Sequence, residues 1–151
     1  MTDPKISRLT DHLGYWLRMV SNAVSGRFAA RLAERGFSVA EWVLLRQLLD
    51  GDLQPSELAA RMGMTRGGIT KLADRLVARG LVLRRPGRGD GRAVTLGLSD
   101  AGRAATPELA RLADDNDRAF FGPLPEADRI LLRRLMGDLA RHHEVGASPV
   151  D

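Results

Sequence analysis

Cysteine is absent from the 151 residues of this chain. Its absence excludes disulfide bonds, zinc sites built on thiolates and peroxide sensing through a thiol. Long apolar runs are absent too, since none approaches the roughly 18 residues that span a membrane. The N-terminus also lacks the basic and then apolar layout of a signal peptide. We therefore expect a cytoplasmic protein.

Patterns of catalytic residues are also lacking. The three histidines, His12, His142 and His143, are too few and too scattered for a convincing active site. No Ser-His-Asp order, phosphate loop or zinc motif is present. Adjacent residues on a helix point about 100° apart, so His142 and His143 do not favour a metal site. We expect no enzyme, no cofactor and no bound metal.

The composition is that of a globular protein. Apolar residues make up 44% of the chain and charged residues 28%, as in ordinary soluble domains. A chain of this length buries one sizeable core, so residues 1–151 are predicted to form a single domain.

The stretch from Gln54 to Gly102 begins with the pattern of a helix-turn-helix. Pro55 fits the first position of a helix, where its missing N–H costs nothing. Gly63 marks a tight turn, and Thr65 is a good N-cap for a second helix because its hydroxyl accepts from a free amide. That second helix is predicted to end at Gly80, which suits a left-handed cap.

Two strand candidates follow the second helix, Leu81–Arg85 and Ala93–Leu98, of which the second alternates with a period of two. The loop Gly87–Arg92 between them carries three glycines and two arginines. A helix-turn-helix followed by a basic hairpin predicts a winged helix: the second helix suits the major groove and the hairpin suits the adjacent backbone. The predicted fold class is mainly α with a small β-hairpin wing, flanked by dimerisation helices.

Basic charge is concentrated on this unit. Residues 61–92 contain nine lysines and arginines against two acidic residues, a balance of +7, whereas the whole chain carries only +4. Such a concentration is typical of a surface that binds nucleic-acid phosphates. The alternative is a solvated basic face with no partner.

A long helix is predicted before this unit, from about Ile6 to Arg35. Its apolar residues cover roughly half the circumference at 100° per residue. They are Leu9, Leu13, Trp16, Leu17, Val20, Ala23, Val24 and Phe28. So wide a face suggests that the helix packs on its own core and on a second subunit. The alternative is the central helix of a monomeric bundle.

Capping signals predict the remaining helices. Ser38 and Glu41 match a capping box that opens a helix running to about Leu49. Ser99 is predicted to cap a helix after the wing, which Pro107 should kink or interrupt. A last helix is predicted from Pro125 to about His143.

These helices suggest a division of labour along the chain. Residues 36–98 are predicted to form the winged helix DNA-binding region, and residues 6–35 and 99–143 the dimerisation helices. One winged helix covers only one half-site. A two-fold homodimer on a palindromic operator in double-stranded DNA is therefore the expected assembly.

From about Leu9 to His142 the sequence resembles the MarR family of bacterial transcription regulators. The most specific part is Asp90-x-Arg92, followed by Leu96-x-Leu98-Ser99-x-x-Gly102, where Ser99 replaces the usual Thr. Shorter matching stretches are 57–59, 70–72, 76–82 and 124–126.

The resemblance implies a homodimeric winged-helix DNA-binding protein, often a repressor and commonly released by small aromatic or phenolic ligands. It also implies that Arg92 reaches phosphate or the minor groove while Asp90 holds the guanidinium in place. The alternative is that Asp90 and Arg92 only order the hairpin.

The recognition helix and wing supply the expected DNA contacts. Gly67-Gly68 suggests a close approach of backbone to DNA. Base reading is then expected from Thr65, Arg66, Thr70, Lys71 and Arg75. The DNA-binding candidates are Thr65, Arg66, Gly67, Gly68, Thr70, Lys71, Arg75, Arg88, Asp90 and Arg92.

The resemblance further places a ligand pocket between the first helix, the second helix and the helix after the wing. His12, Trp16 and Met19 lie along one edge of the first helix, and Trp42 and Arg46 are one turn apart on the second. Together they would offer aromatic walls and a cation to an aromatic carboxylate or phenolate. The alternative is that both tryptophans belong to the ordinary core.

Two other functions stay open at this point. One is a winged helix that binds a protein partner, against which the charge of +7 argues. The other is a DNA-binding regulator that responds to no ligand. Whether the regulator represses or activates depends on the position of its operator.

Overall fold

The computed structural model describes residues 6–87 and 93–146. It is mainly helical with a two-stranded antiparallel hairpin, which confirms the predicted fold class. The helices are α1 (Leu13–Glu34), α2 (Val39–Leu49), α3 (Pro55–Met62), α4 (Arg66–Ala78), α5 (Asp100–Phe121) and α6 (Glu126–His142). The strands are β1 (Val82–Arg85) and β2 (Thr95–Leu98). No helix within the described ranges is long and apolar enough to cross a membrane.

The first helix starts later than predicted. A single 3₁₀ turn at Leu9–Asp11 comes first, and His12 is extended at φ −99° and ψ 123° before α1 begins. Local hydrogen bonds stabilise this break: the Asp11 carboxylate accepts from the Arg8 amide at 2.8 Å, and the Trp16 indole donates to the Thr10 carbonyl at 2.9 Å. The continuous helix predicted from Ile6 was therefore wrong over its first two turns.

The predicted helix caps are confirmed. Ser38 Oγ accepts from the Glu41 amide at 3.1 Å, and Glu41 Oε1 accepts from the Ser38 amide at 3.2 Å. Thr65 Oγ1 accepts from the Gly68 amide at 3.0 Å. Gly80 has a φ of 73°, in the left-handed region that glycine reaches at no steric cost.

Pro107 lies inside α5, a helix of 22 residues that is continuous through the proline. The predicted interruption was therefore wrong. Proline removes one backbone donor, but packing on both sides of it opposes a break. Thr106 is buried and donates its hydroxyl to the Gly102 carbonyl at 2.7 Å, and Leu109 is buried in the core.

The hairpin pairs Val82 with Leu98 and Arg85 with Thr95. A third segment joins its inner edge, because Leu53 and Leu96 exchange backbone hydrogen bonds of 3.0 and 2.8 Å. This bridge attaches the base of the hairpin to the loop between α2 and α3. Nothing in the sequence pattern had predicted it.

The buried core lies within the winged unit. Its largest fully buried side chains come from α2, α3, α4 and the two strands, with one from the end of α1. They are Leu32, Leu44, Leu45, Leu48, Leu58, Met62, Ile69, Leu72, Leu76, Val82, Leu96 and Leu98. The winged unit, which runs from α2 to β2, therefore has its own hydrophobic core.

The outer helices, in contrast, expose apolar side chains in the single chain. α6 buries none of its residues, and α1 buries only Leu32. We call the exposed set the uncovered apolar face. It comprises Leu13, Trp16, Leu17, Met19 and Val20 of α1 with Ile130, Leu131, Leu135, Met136 and Leu139 of α6.

Candidate nucleic-acid interface

Helix α4 turns one face to the core and the other to solvent. Ile69, Leu72 and Leu76 recur at helical spacing and are fully buried or nearly so. The opposite face is exposed and includes Thr65, Arg66, Gly67, Thr70, Lys71 and Arg75, six of the residues predicted to bind DNA. The packing of α4 therefore brings these candidates together on one accessible surface.

The hydroxyls at the start of α4 are already partly engaged. Thr65 Oγ1 accepts from the Gly68 amide, so its proton stays available for donation. Thr70 donates to the Arg66 carbonyl at 3.0 Å, so its oxygen stays available as an acceptor. Thr65 thus keeps a donor for a further polar contact, whereas Thr70 keeps only acceptor capacity.

The two glycines of the first turn have different surroundings. A Cβ at Gly68 would lie 3.2 Å from Met64 Cε and from Thr65 Oγ1, so a side chain there would crowd the cap. A Cβ at Gly67 would meet nothing within 4 Å. Neighbouring side chains of the chain itself therefore explain the glycine at position 68. At position 67 there is open space on the exposed side of α4.

Three of the arginines that contribute to the local charge of +7 are paired with carboxylates. Arg79 Nη1 lies 2.7 Å from Glu41 Oε2, and Arg85 Nη1 lies 2.8 Å from Asp52 Oδ2. Arg84 pairs with Asp74 in the same way. Two of these carboxylates precede residue 61, so counting charges along the sequence overestimated the unpaired positive charge.

Three of the cations left without an ion pair lie on the exposed face of α4. Within residues 6–87 and 93–146, Arg66, Lys71 and Arg75 have no ion-pair partner. Arg61 donates to Gln47 Oε1 at 3.4 Å. The positive potential of the described unit is therefore focused on the helix that the sequence predicted to enter the groove.

The base of the wing is fixed by close packing. A Cβ at Gly97 would collide with the Asp52 carboxylate, which lies against β2 and pairs with Arg85 of β1. The wing tip residues Arg88, Asp90 and Arg92, all predicted to bind DNA, lie outside the described residues.

Comparison with known proteins agrees with this geometry. A MarR family model matches residues 35–93, which span α2, the helix-turn-helix and β1. The crystal structure of a probable transcriptional regulator from Pseudomonas aeruginosa is 30% identical with a TM-score of 0.75, over 87% of this chain and 99% of that one. This chain belongs to the MarR family.

Two further relatives extend the comparison. The HTH-type transcriptional repressor YetL of Bacillus subtilis is 29% identical over 110 residues, which are 71% of this chain and 66% of that protein. CouR from Rhodococcus jostii RHA1, solved bound to p-coumaroyl-CoA, shares the fold with a TM-score of 0.78 at 24% identity, over 89% of this chain and 96% of that one. As a MarR family member, the chain is a DNA-binding regulator of transcription, and these relatives are not described as enzymes.

The most specific MarR-like motif has a structural role in the described part of the chain. Ser99 Oγ accepts from the Gly102 amide at 3.1 Å and donates to the Gly80 carbonyl at 2.5 Å. A Cβ at Gly102 would collide with the Leu81 carbonyl. The serine and glycine therefore lock the start of α5 against the end of the recognition helix, and Ser99 performs this with the hydroxyl that the usual Thr would supply.

The predicted ligand residues fall into two groups. His12 lies with Nδ1 3.0 Å from the Arg8 carbonyl, and Trp16 and Met19 belong to the uncovered apolar face. Trp42 packs edge-on against Phe28 with ring centroids 6.3 Å apart, and Arg46 pairs with Asp50 at 2.9 Å. No hydrogen bond, ion pair or aromatic contact of the described residues joins the first group to the second.

Two concavities lie elsewhere in this MarR family chain. They measure about 90 and 400 Å³ and open between α5 and α6, and Arg129 and Arg133 line both. Neither is lined by any of the five predicted ligand residues. The predicted ligand pocket therefore stays a prediction.

Sequence reasoning missed three carboxylates that form ion pairs with arginines of the winged unit. Glu41 is separated from Arg79 by 38 positions, Asp52 from Arg85 by 33 and Asp74 from Arg84 by 10. Glu41 was identified only as a capping residue. No local pattern signals such pairs, because the chain must fold before these groups meet.

Proposed function

We propose that this protein is a homodimeric, sequence-specific repressor that acts in the cytoplasm and binds a palindromic operator. The observation that carries this proposal is the exposed face of α4, where Arg66, Lys71 and Arg75 have no acidic partner in the described structure. Recognition helices enter the major groove with their N-terminal residues on the base edges. Positive charge concentrated there matches the phosphates on both sides of the groove.

In this proposal the residues divide by role. Thr65, Arg66, Thr70, Lys71 and Arg75 face the bases and flanking phosphates, and Gly67 and Gly68 let the helix backbone approach closely. At the wing tip, Arg88 and Arg92 bind the neighbouring backbone, and Asp90 orients Arg92. Residues 36–98 thus serve as the DNA-binding region.

The uncovered apolar face supports the dimer. Leu13 is 87% exposed in the single chain and Leu139 is 58% exposed. Large apolar surfaces exposed on a soluble protein often mark an interaction site. A second copy of residues 6–35 and 99–143 would cover this face and would hold two recognition helices about one helical turn of DNA apart.

Repression and release are the finer part of the proposal. The relative YetL is named a repressor, and CouR was solved with an aromatic acyl thioester bound. We assign His12, Trp16, Met19, Trp42 and Arg46 to a pocket for a small aromatic carboxylate or phenolate. A ligand that prefers the low-affinity dimer would shift the population away from DNA.

Selection of bound fragments from genomic DNA tests the proposal most completely. The expected product is an imperfect palindrome, and Arg92→Ala should weaken binding to all duplexes by a similar factor. Recovery of no enriched sequence from a folded protein would favour the winged helix as a protein-interaction module instead.

Intrinsic fluorescence tests the ligand, because Trp16 and Trp42 are the only tryptophans. Salicylate-like compounds should quench emission and weaken operator binding over one concentration range. Quenching without a change in DNA affinity would mean a site unconnected with regulation. No response across a broad aromatic panel would leave a ligand-independent regulator.

A further inference from the structure

Arg79 lies at the end of the recognition helix and connects it to the junction between α1 and α2. It is the C-cap residue of α4. Its Nη1 lies 2.7 Å from Glu41 Oε2, and its guanidinium carbon lies 4.3 Å from the centre of the Phe37 ring. A Cβ built at Gly36 would touch Arg79 Nη2 at 3.8 Å. One side chain thus contacts both Phe37 and Glu41 at the junction.

The acidic partner is fully engaged. Glu41 Oε1 accepts from the Ser38 amide and closes the cap of α2, while Oε2 holds Arg79. The side chain of Glu41 is only 12% exposed. The start of α2 and the end of α4 therefore share one carboxylate, and neither helix can shift against the other without breaking a charge-assisted hydrogen bond.

Position along the helix separates Arg79 from the expected DNA contacts. Recognition helices meet base edges with their N-terminal residues, and Arg79 lies 14 residues beyond Thr65. At 1.5 Å per residue, that places it roughly 20 Å from the end of the helix that enters the groove. The partners of Arg79 are instead the residues at the start of α2, which packs on α1 and α5.

We propose that Arg79 is a positioning residue for DNA recognition. Through Glu41 and Phe37 it fixes the angle between α4 and α2, and so fixes how two recognition helices are presented to successive half-sites. This inference rests on the proposed function. It predicts that the pair contributes to operator recognition through geometry and contributes little to non-specific attraction for phosphate.

The two partners carry opposite charges, which makes a sharp test. Simple electrostatics predicts that Arg79→Met weakens binding to any DNA and that Glu41→Gln strengthens it. Positioning predicts that both changes weaken operator binding. Glutamine keeps the capping hydrogen bond of α2, because capping boxes accept Glu or Gln at that position.

The experiment measures affinity for the operator and for an unrelated duplex of equal length across a range of salt concentrations. The variants are Arg79→Met, Arg79→Lys, Glu41→Gln and the double variant. Arg118→Met and Asp115→Asn are charge-matched controls, because they break an exposed pair of 3.0 Å within α5. Circular dichroism establishes that each variant is folded at the assay temperature.

Positioning predicts a loss of operator affinity of about tenfold for Arg79→Met and for Glu41→Gln, with no further loss in the double variant. Affinity for the unrelated duplex and the salt slope should stay at the wild-type values. Arg79→Lys should recover part of the loss, and both controls should bind as the wild type does. If Arg79→Met does not fold, Glu41→Gln and Arg79→Lys carry the same comparison.

Two results would overturn the inference. In one, Arg79→Met lowers the salt slope by about one and weakens both duplexes equally, while Glu41→Gln tightens binding; Arg79 would then be a phosphate contact. In the other, folded variants bind the operator as the wild type does. Wild-type protein that binds no duplex would count against the proposed function alone. Amide exchange would then decide the inference: faster exchange at the end of α4 in both variants supports the connection, and unchanged exchange refutes it.

Discussion

Glycine occupies two consecutive positions in the first turn of α4, and the structure separates their roles. A side chain at Gly68 would crowd its neighbours, since it would press on Met64 and on the capping oxygen of Thr65. Gly67 has no such neighbour within 4 Å. Glycine is a poor helix former, and no neighbour within the chain requires it at position 67. We therefore attribute Gly67 to a binding partner outside the chain.

Gly67→Ala tests this explanation. The change should raise the free energy of unfolding by up to about 1 kcal/mol, because alanine is the better helix former. Operator affinity should fall, since the new methyl group occupies space reserved for DNA. Thermal unfolding and operator titration measure both effects.

Gly26→Ala is the matched control for that substitution. Gly26 lies exposed within α1, and a Cβ there also meets nothing within 4 Å. The control should gain stability and keep its DNA affinity. A Gly67→Ala protein that is more stable and binds the operator unchanged would refute the close approach of DNA at this position.

Asn116 is a buried polar residue with one unsatisfied hydrogen-bond acceptor in the described structure. It is 4% exposed, and its Nδ2 donates to the Val24 carbonyl at 3.2 Å, which joins α5 to α1. Its Oδ1 is buried and has no hydrogen-bond partner in the described structure. An unsatisfied buried acceptor lowers stability by about 1–3 kcal/mol.

Asn116→Leu should therefore raise the melting temperature by about 2–4 °C, the shift expected for roughly 1 kcal/mol in a chain of this size. The volume is nearly conserved, so the packing of α1 on α5 should persist. Differential scanning calorimetry at fixed protein concentration measures the change. A clear fall in melting temperature would show that the amide stabilises this contact more than its unsatisfied oxygen destabilises it.

At the scale of helices and strands, local chemistry was enough to place most boundaries. The caps at Ser38, Thr65 and Ser99 were readable because the capping residue and its amide lie three positions apart in the sequence. The hairpin strands were readable from two short apolar runs, the second of them alternating, and both begin later than predicted. Boundaries set by neighbours in sequence were therefore predictable.

Features set by distant contacts were not predictable from local patterns. The break at His12 depends on an indole that folds back to Thr10, and the continuity of α5 through Pro107 depends on packing around Thr106 and Leu109. The same reason hid the ion pair between Glu41 and Arg79 in the candidate site. The exposed face of α4, in contrast, followed directly from its helical period.

Helix α6 offers the most direct test of the dimer at this scale. Leu135 is exposed on its apolar side, in the uncovered apolar face. Leu135→Lys should place a charge in the dimer contact and shift sedimentation toward the monomer at micromolar concentration. Burial of an unpaired charge is strongly unfavourable, which is the reason for the expected dissociation.

Arg133→Gln is the control on the same helix, because at about 100° per residue Arg133 points roughly 160° away from Leu135. It should leave the oligomeric state unchanged. A wild-type protein that sediments as a folded monomer would contradict the proposed dimer, and so would a Leu135→Lys variant that remains fully dimeric.

On the scale of the whole molecule, the buried core and the uncovered apolar face lie in different parts of the chain. The winged unit contains nearly all of the largest buried side chains, and α6 contains no buried residue. Each winged unit thus has its own hydrophobic core, whereas the outer helices leave their apolar side chains exposed in the single chain, where the proposed second copy would bury them. This arrangement favours a dimer in which two preformed winged units are held at a defined separation.

The salt dependence of duplex binding tests the central claim most directly. A dimer that neutralises about 8 phosphates through α4 and the wing should give a log–log slope near −7. Titration of the operator at several salt concentrations, with the oligomeric state checked at each one, provides the measurement. A slope near −7 is the predicted result. A folded dimer that shows no salt-dependent binding to its selected duplex would contradict the assignment of the basic face to DNA.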